Sequence, residues 1–186
     1  MQPTRLIIAI TGASGVAYGK RLLEVLQKKK IETHLIVSKT AEKIIEHELE
    51  IARSDIEKLA DHVYSVDDLT APISSGSFKT DAMIIIPCSM KTLAGIAHGY
   101  AENLILRTAD VMLKEKRKLI LVPRETPVNI IHLRNMLELA KQGVTIIPAM
   151  PAYYHKPKDI GDVVDYIVGK VLDYLEIEHT LFKRWT

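Results

Sequence analysis

The stretch Leu6-Ile7-Ile8-Ala9-Ile10-Thr11-Gly12-Ala13-Ser14-Gly15, followed by helix-period text from Val16 to about Lys29, decides the fold. Leu6 to Ile10 is apolar without alternation, as a strand covered on both faces requires. A turn of small residues then opens a helix. The same order recurs downstream. His34-Leu35-Ile36-Val37 leads into helical text from Thr40 to about Glu50 and from Asp55 to Ala60, and Val63 to Val66 is a short strand. Ala82 to Ile86 stops at Pro87 and precedes helical segments near Lys91 to Ala97 and Leu104 to Lys116. Leu119 to Val122 stops at Pro123, Ile130 to Lys141 is helical, and Val144 to Ile147 stops at Pro148. In the last helix Val163, Val164, Ile167, Val168, Val171, Leu172 and Leu175 form one apolar stripe, with Asp159 placed to cap its start.

Buried strands alternating with helices predict a three-layer, doubly wound, Rossmann-like α/β fold with a parallel sheet. The 186 residues, read as one domain spanning 1–186, suffice for a single core, and the region from about 159 to 186 is expected to supply a helix and a tail that closes the pocket. A net charge of +2 lacks the basic excess of a nucleic-acid binder, and an aromatic content of 5% leaves little for a base-stacking platform. No apolar run approaches the roughly 18 residues of a membrane span. With one cysteine, Cys88, and only a short apolar stretch after Met1-Gln2-Pro3-Thr4-Arg5, the chain reads as a cytoplasmic protein without a signal peptide.

In a doubly wound sheet, ligands bind beyond the carboxyl ends of the strands. Those ends are Thr11 to Gly15, Ser38-Lys39, Pro87 to Thr92, Pro123 to Pro127 and Pro148 to Pro157. The first offers free backbone N–H groups and a positive helix end, or else is a plain tight turn. Its glycines, at 12, 15 and 19, do not match the dinucleotide fingerprint G-x-G-x-x-G, and the second strand ends in Ser38-Lys39 where a ribose-binding carboxylate is expected. Both departures favour a mononucleotide over NAD. Cys88 reads as a buried small hydrophobe, while Ser89 and Thr92 beside it are better ligand groups. Arg124-Glu125 is either a surface ion pair or the anion-binding and proton-transfer pair of a site. Lys28 to Lys30 and Lys114 to Lys118 close helices, where cations complement the dipole. The seven histidines form no H-E-x-x-H or Cys/His motif, so no zinc site is expected.

Six segments together carry a resemblance: Thr11-Gly12-Ala13-Ser14-Gly15; Ser75-Gly76-Ser77-Phe78; Pro87-Cys88-Ser89-Met90-Lys91-Thr92-Leu93; Asn103-Leu104 through Arg107-Thr108-Ala109-Asp110; Val122-Pro123-Arg124-Glu125-Thr126-Pro127; and Tyr154-His155-Lys156-Pro157. In this order, and from end to end, the chain resembles the flavin prenyltransferases, the UbiX-like flavoproteins. The resemblance implies a metal-independent enzyme that joins a dimethylallyl group from dimethylallyl phosphate to N5 and then C6 of reduced FMN. The prenylated FMN serves UbiD-type decarboxylases, in a setting such as ubiquinone biosynthesis. Residue by residue, it implies that Gly12, Ala13, Ser14, Ser38, Ser89, Met90, Lys91, Thr92 and Arg124 hold FMN. Tyr154, Lys170, Lys114 and Arg107 match positions for the dimethylallyl phosphate, and Arg107, Lys114, Arg124 and Lys170 are expected to face two small phosphates. Glu125 is the implied general base, with Ser14 and Glu48 as further catalytic positions. Leu69 stands where some members carry tryptophan, and Lys170 stands where others carry arginine, which keeps the charge but loses the bidentate fork. Trp185 matches a tail position that closes the pocket. The resemblance further implies a homododecamer with pockets built from more than one subunit. Two rivals share the fold: FMN-dependent cysteine decarboxylases, whose Pro-x-Met-Asn motif is here Pro148-Ala149-Met150-Pro151, and a non-catalytic flavodoxin-like FMN carrier.

Overall fold

Strand β1 (Arg5–Ile10) is flanked by β2 (Glu32–Val37) on one side and β4 (Ala82–Cys88) on the other, and all three run parallel. A computed structural model describes residues 4–185; Met1, Gln2 and Pro3, on which the reading of the N-terminus rests in part, and Thr186 lie outside it. With β3 (His62–Tyr64), β5 (Lys118–Pro123) and β6 (Thr145–Ile146), the sheet has the order β3-β2-β1-β4-β5-β6. The strand order reverses between β1 and β4, with successive strands added first on one side of β1 and then on the other, so a crevice opens at their carboxyl ends.

Strand geometry sends successive side chains to opposite faces. Leu6, Ile8 and Ile10 therefore pack with α1 (Val16–Lys28), α2 (Lys39–Leu49), α3 (Arg53–Glu57) and α7 (Ile160–Tyr174). Ile7 and Ala9 pack with α4 (Met90–Ala97), α5 (Leu104–Lys114) and α6 (Ile130–Lys141) on the other side. The expected three layers are present. Asp159 caps α7 by accepting from the Asp162 N–H at 3.0 Å, as its position before the apolar stripe predicts. Among the described residues, no helix is long and apolar enough to cross a membrane.

Several boundaries differ from the sequence reading. The strand expected to stop before Pro87 continues to Cys88, with a register irregularity between Ile85 and Cys88. Proline cannot donate, but its carbonyl is used: Pro87 O accepts from the Thr11 N–H at 3.2 Å and from its hydroxyl at 2.8 Å. The strand expected over Val63 to Val66 is His62–Tyr64, and that over Val144 to Ile147 shrinks to Thr145–Ile146. Both are edge strands, paired on one side only. α3 begins and ends earlier than the Asp55 to Ala60 reading, and α5 stops at Lys114 because Lys116 turns left-handed at φ 53°.

Candidate functional site

Four of the five strand ends singled out by topology contribute residues to the crevice and its rim. A cleft of about 320 Å³ is lined by Gly12, Ser38, Thr40, Ser89, Met90, Lys91, Thr92, Asn103, Ile105, Leu106 and Glu125. Three helices begin at its edge with a polar side chain as N-cap. Ser38 Oγ accepts from the Ala41 N–H at 3.1 Å, Ser89 Oγ from the Thr92 N–H at 3.3 Å, and Asn103 Oδ1 from the Leu106 N–H at 3.1 Å. A capping oxygen accepts with one lone pair and leaves the serine hydrogen free to donate, and the first amides of each helix have no intrahelical partner. The cleft is therefore a donor-rich wall. Ser89 is fixed from behind by Thr11, whose buried hydroxyl accepts from the Ser89 N–H at 2.8 Å while donating to Pro87 O. Thr11 thus bolts the end of β1 to the end of β4. At Gly12 a Cβ would lie 2.7 Å from Thr40 Cβ, so only glycine keeps this wall open without moving Thr40.

The first turn departs from expectation. Two of its amides are not open to a ligand: Glu48 Oε2 accepts from the Gly15 N–H at 2.9 Å and the Val16 N–H at 3.3 Å. The chain places its own carboxylate on the positive end of α1, the charge that a helix N-terminus favours. Gly15 sits at φ 98°, and a Cβ there would meet the Tyr18 ring at 2.6 Å. Tyr18 lies among the groups of this corner: burial pushes its phenol above the ordinary range, Arg124 pulls it down, and Glu48 and Tyr153 add to the rise. Arg124 donates its backbone N–H to Cys88 O at 3.3 Å, and its side-chain Nε is buried without a partner. Such a donor is costly to leave unmade, and it is suited to an anionic ligand. Glu125 lines the cleft half-buried, with Oε1 accepting from the Thr126 N–H at 3.2 Å. Ser14 is exposed on the turn. Cys88 is fully buried and burial pushes its thiol far up, which removes it as a nucleophile.

The remaining predicted groups divide. Tyr154 meets Tyr166 edge-on at 6.0 Å and Trp185 at 5.5 Å, so the tail returns onto the loop that carries it. The tail is pinned by Asp173, which accepts from Arg184 at 2.6 Å and faces His179 at 3.0 Å. Lys170 lies 3.6 Å from the same Asp173. Arg107 and Lys114 are elsewhere. They line a second cleft, of about 550 Å³, with Ser74, Ser75, Gly76, Ser77 and Glu115, and it shares no lining residue with the first. Arg107 donates to Ser74 O at 3.1 Å and to Asp110 at 2.9 Å, and Lys114 pairs with Glu115 at 2.6 Å. The expected gathering of Arg107, Lys114, Arg124 and Lys170 around one spot is thus not formed within one chain. Leu69 is 47% exposed and lines neither cleft. The structure adds Thr11, Tyr18, Thr40, Asn103, Ile105 and Leu106 to the site. Thr11, Asn103, Ile105 and Leu106 stand within segments already singled out and Thr40 directly beside one; Tyr18 reads in sequence only as a helix residue.

Comparison with known proteins agrees with this geometry. The model of the flavoprotein family matches residues 1–172. The chain is 54% identical to flavin prenyltransferase UbiX of Methanocaldococcus jannaschii over 181 residues, covering 97% of this chain and 98% of that one. The chain belongs to the flavin prenyltransferases. Among solved structures, a UbiX protein in complex with FMN and dimethylallyl pyrophosphate matches with a TM-score of 0.96 at 49% identity, over 98% of this chain and 97% of that one. A dodecameric FMN-dependent UbiX-like protein from Escherichia coli O157:H7 matches with a TM-score of 0.96 at 50% identity, over 98% and 99%. A peptidyl-cysteine decarboxylase, at 18% identity and a TM-score of 0.64 over 92% of this chain and 98% of that one, shares the fold alone. For a flavin prenyltransferase, the cleft is suited to FMN on its own evidence. Its capping hydroxyls and helix amides are donors, Gly12 keeps the floor open, and Arg124 Nε lacks a partner.

Proposed function

We propose that this flavin prenyltransferase transfers the dimethylallyl group of dimethylallyl phosphate to N5 and C6 of reduced FMN, in the cytoplasm, and passes prenylated FMN to a UbiD-type decarboxylase. The observation that carries the reading is the donor-rich cleft at the ends of β1, β2 and β4, with Glu125 in its wall, in a chain of this family. Reduced FMN, when bound, supplies the nucleophilic nitrogen and ring carbon that take up the alkyl group.

This chain's residues do the rest. Ser38, Ser89, Thr92 and the amides of Met90 and Lys91 hold the flavin's polar edge and phosphate, and Arg124 contributes its unpartnered Nε–H. Tyr154 and Lys170 receive the oxygens of the allylic phosphate as its C–O bond breaks, where charge-assisted donors stabilise the departing anion without a metal. Glu125 accepts the proton released when the new ring closes, and Ser14 orients the group that loses it. Glu48 is a positioning residue: it holds the Gly15 and Val16 amides and thereby the turn that carries Ser14.

Arg107 and Lys114 act from an adjacent copy in a homododecamer. Their cleft is open in a single chain, and α6 supports assembly by presenting Ile130, Leu133 and Leu137, 50% or more exposed, on one apolar face. The test is an anaerobic incubation with reduced FMN and, separately, dimethylallyl phosphate or its pyrophosphate, followed by weighing the extracted flavin. Gain of one five-carbon unit with a donor supports the reading. Unchanged FMN with both donors would leave the carrier or the cysteine decarboxylase.

A further inference from the structure

At the amino-terminal end of the sheet, opposite the flavin cleft, β2 and β3 bring three metal-ligating side chains together. Glu32 and His34 lie two residues apart on one face of β2, and His62 is the register partner of His34 on β3. One ligand atom from each of Glu32, His34 and His62 lies within 4.8 Å of the other two. Glu32 Oε1 is 3.0 Å from His34 Nε2 and 3.6 Å from His62 Nε2. Ligand atoms at ~2.0–2.1 Å from a tetrahedral ion are separated by about 3.4 Å, so these distances already bracket the edge of such a site.

We propose that Glu32, His34 and His62 bind a divalent zinc-class ion, with a water in the fourth position. The surroundings supply what such a site requires. His34 is nearly fully buried, and Phe78 meets its ring edge-on at 5.2 Å, which fixes one ligand. The half-exposed His62 ring is stacked on it, with centroids 4.6 Å apart and planes 17° apart, and it turns out of that stack so that its in-plane lone pair converges with that of His34 on the ion. His34 Nδ1 is 2.9 Å from the Tyr64 hydroxyl, so when Nε2 takes the ion the Nδ1–H donates outward to Tyr64, the outer partner that orients a ligating histidine.

The resident cation is Arg5, whose Nε donates to Glu32 Oε1 at 2.9 Å and whose guanidinium lies over Phe78 at 4.8 Å. An incoming ion takes that carboxylate from Arg5, and the guanidinium keeps its second bond to Lys79 O. The ion joins an edge strand of three residues to the rest of the sheet. No local motif announces it, because the ligands come from two strands 28 residues apart in register.

The test uses the purified chain after chelator treatment, titrated with Zn2+ alone by calorimetry and with Co2+ alone by visible absorption. One Zn2+ per chain and the intense visible bands of four-coordinate cobalt are expected. His62→Ala, at an exposed position, lowers zinc affinity at least tenfold and abolishes the bands, whereas His98→Ala, at the C-cap of α4, leaves both intact. Arg5→Gln tightens binding by removing the competing cation. Absence of stoichiometric zinc binding, or binding equally strong in His62→Ala, overturns the proposal.

Discussion

Replacing Thr11 by valine tests how the flavin cleft is held. Valine keeps the shape of the buried side chain but deletes the oxygen that accepts from the Ser89 N–H and donates to Pro87 O, both at 2.8 Å. Pro87 O keeps the Thr11 backbone N–H at 3.2 Å, so the carbonyl remains satisfied, whereas the Ser89 amide is orphaned. An orphaned donor away from water costs about 1–3 kcal/mol. For a chain of this size a loss of 1 kcal/mol lowers Tm by roughly 2–4 °C, which gives an expected fall of roughly 2–12 °C. The same loss frees the N-cap of α4. If ~1 kcal/mol of that positioning is used in binding, FMN affinity falls roughly fivefold. Thermal melting and quenching of FMN fluorescence on titration read the two effects. Thr11→Ser, which keeps the oxygen, is expected to stay close to wild type in both. A valine variant with unchanged Tm and unchanged FMN affinity would refute the bolt.

Other perturbations follow from the same geometry. Gly15→Ala places a Cβ at φ 98° against the Tyr18 ring, and is expected to destabilise the chain by about 1–3 kcal/mol, measured by urea denaturation. Glu48→Gln weakens two charge-assisted bonds to the start of α1 and should lower product formation while leaving the flavin mass of any product unchanged; wild-type turnover would remove its positioning role. Although burial raises the Asp173 carboxyl, its bonds to Arg184 and His179 outweigh it and hold the group below its ordinary 3.8. A carboxylate lowered on folding gives stability that is present above 3.8 and lost as pH falls through the folded value. Asp173→Asn should therefore loosen the tail already at neutral pH, seen as a shift in emission of Trp185, the only tryptophan; identical emission in the variant would contradict the anchor.

The layers of this fold were legible because strands apolar on both faces alternate with helical segments, the pattern of a covered parallel sheet. The strand ends followed from topology, and Ser38, Ser89, Thr92 and Glu125 lie in one cleft as that reasoning requires. What sequence left out depends on distance along the chain. Glu48 reaches the Gly15 amide across 33 residues, and nothing in its helix marks it as the partner of the first turn. Thr11 and Ser89 are 78 residues apart, and their bond exists only because β1 and β4 are neighbours. Arg107 and Lys114 read as two more cations of one site, yet α5 turns both toward the Ser74 to Ser77 loop. Edge strands β3 and β6 were overextended, since one-sided pairing ends sooner than apolar text does.

The most direct test is a single anaerobic turnover with dimethylallyl phosphate and reduced FMN, run side by side on wild type and Glu125→Gln, with the extracted flavin weighed. Wild type is predicted to yield flavin heavier by one five-carbon unit, while the variant binds FMN with unchanged affinity and fails to give the ring-closed product. Unchanged flavin from wild type, or product from the variant at the wild-type rate, would contradict the account.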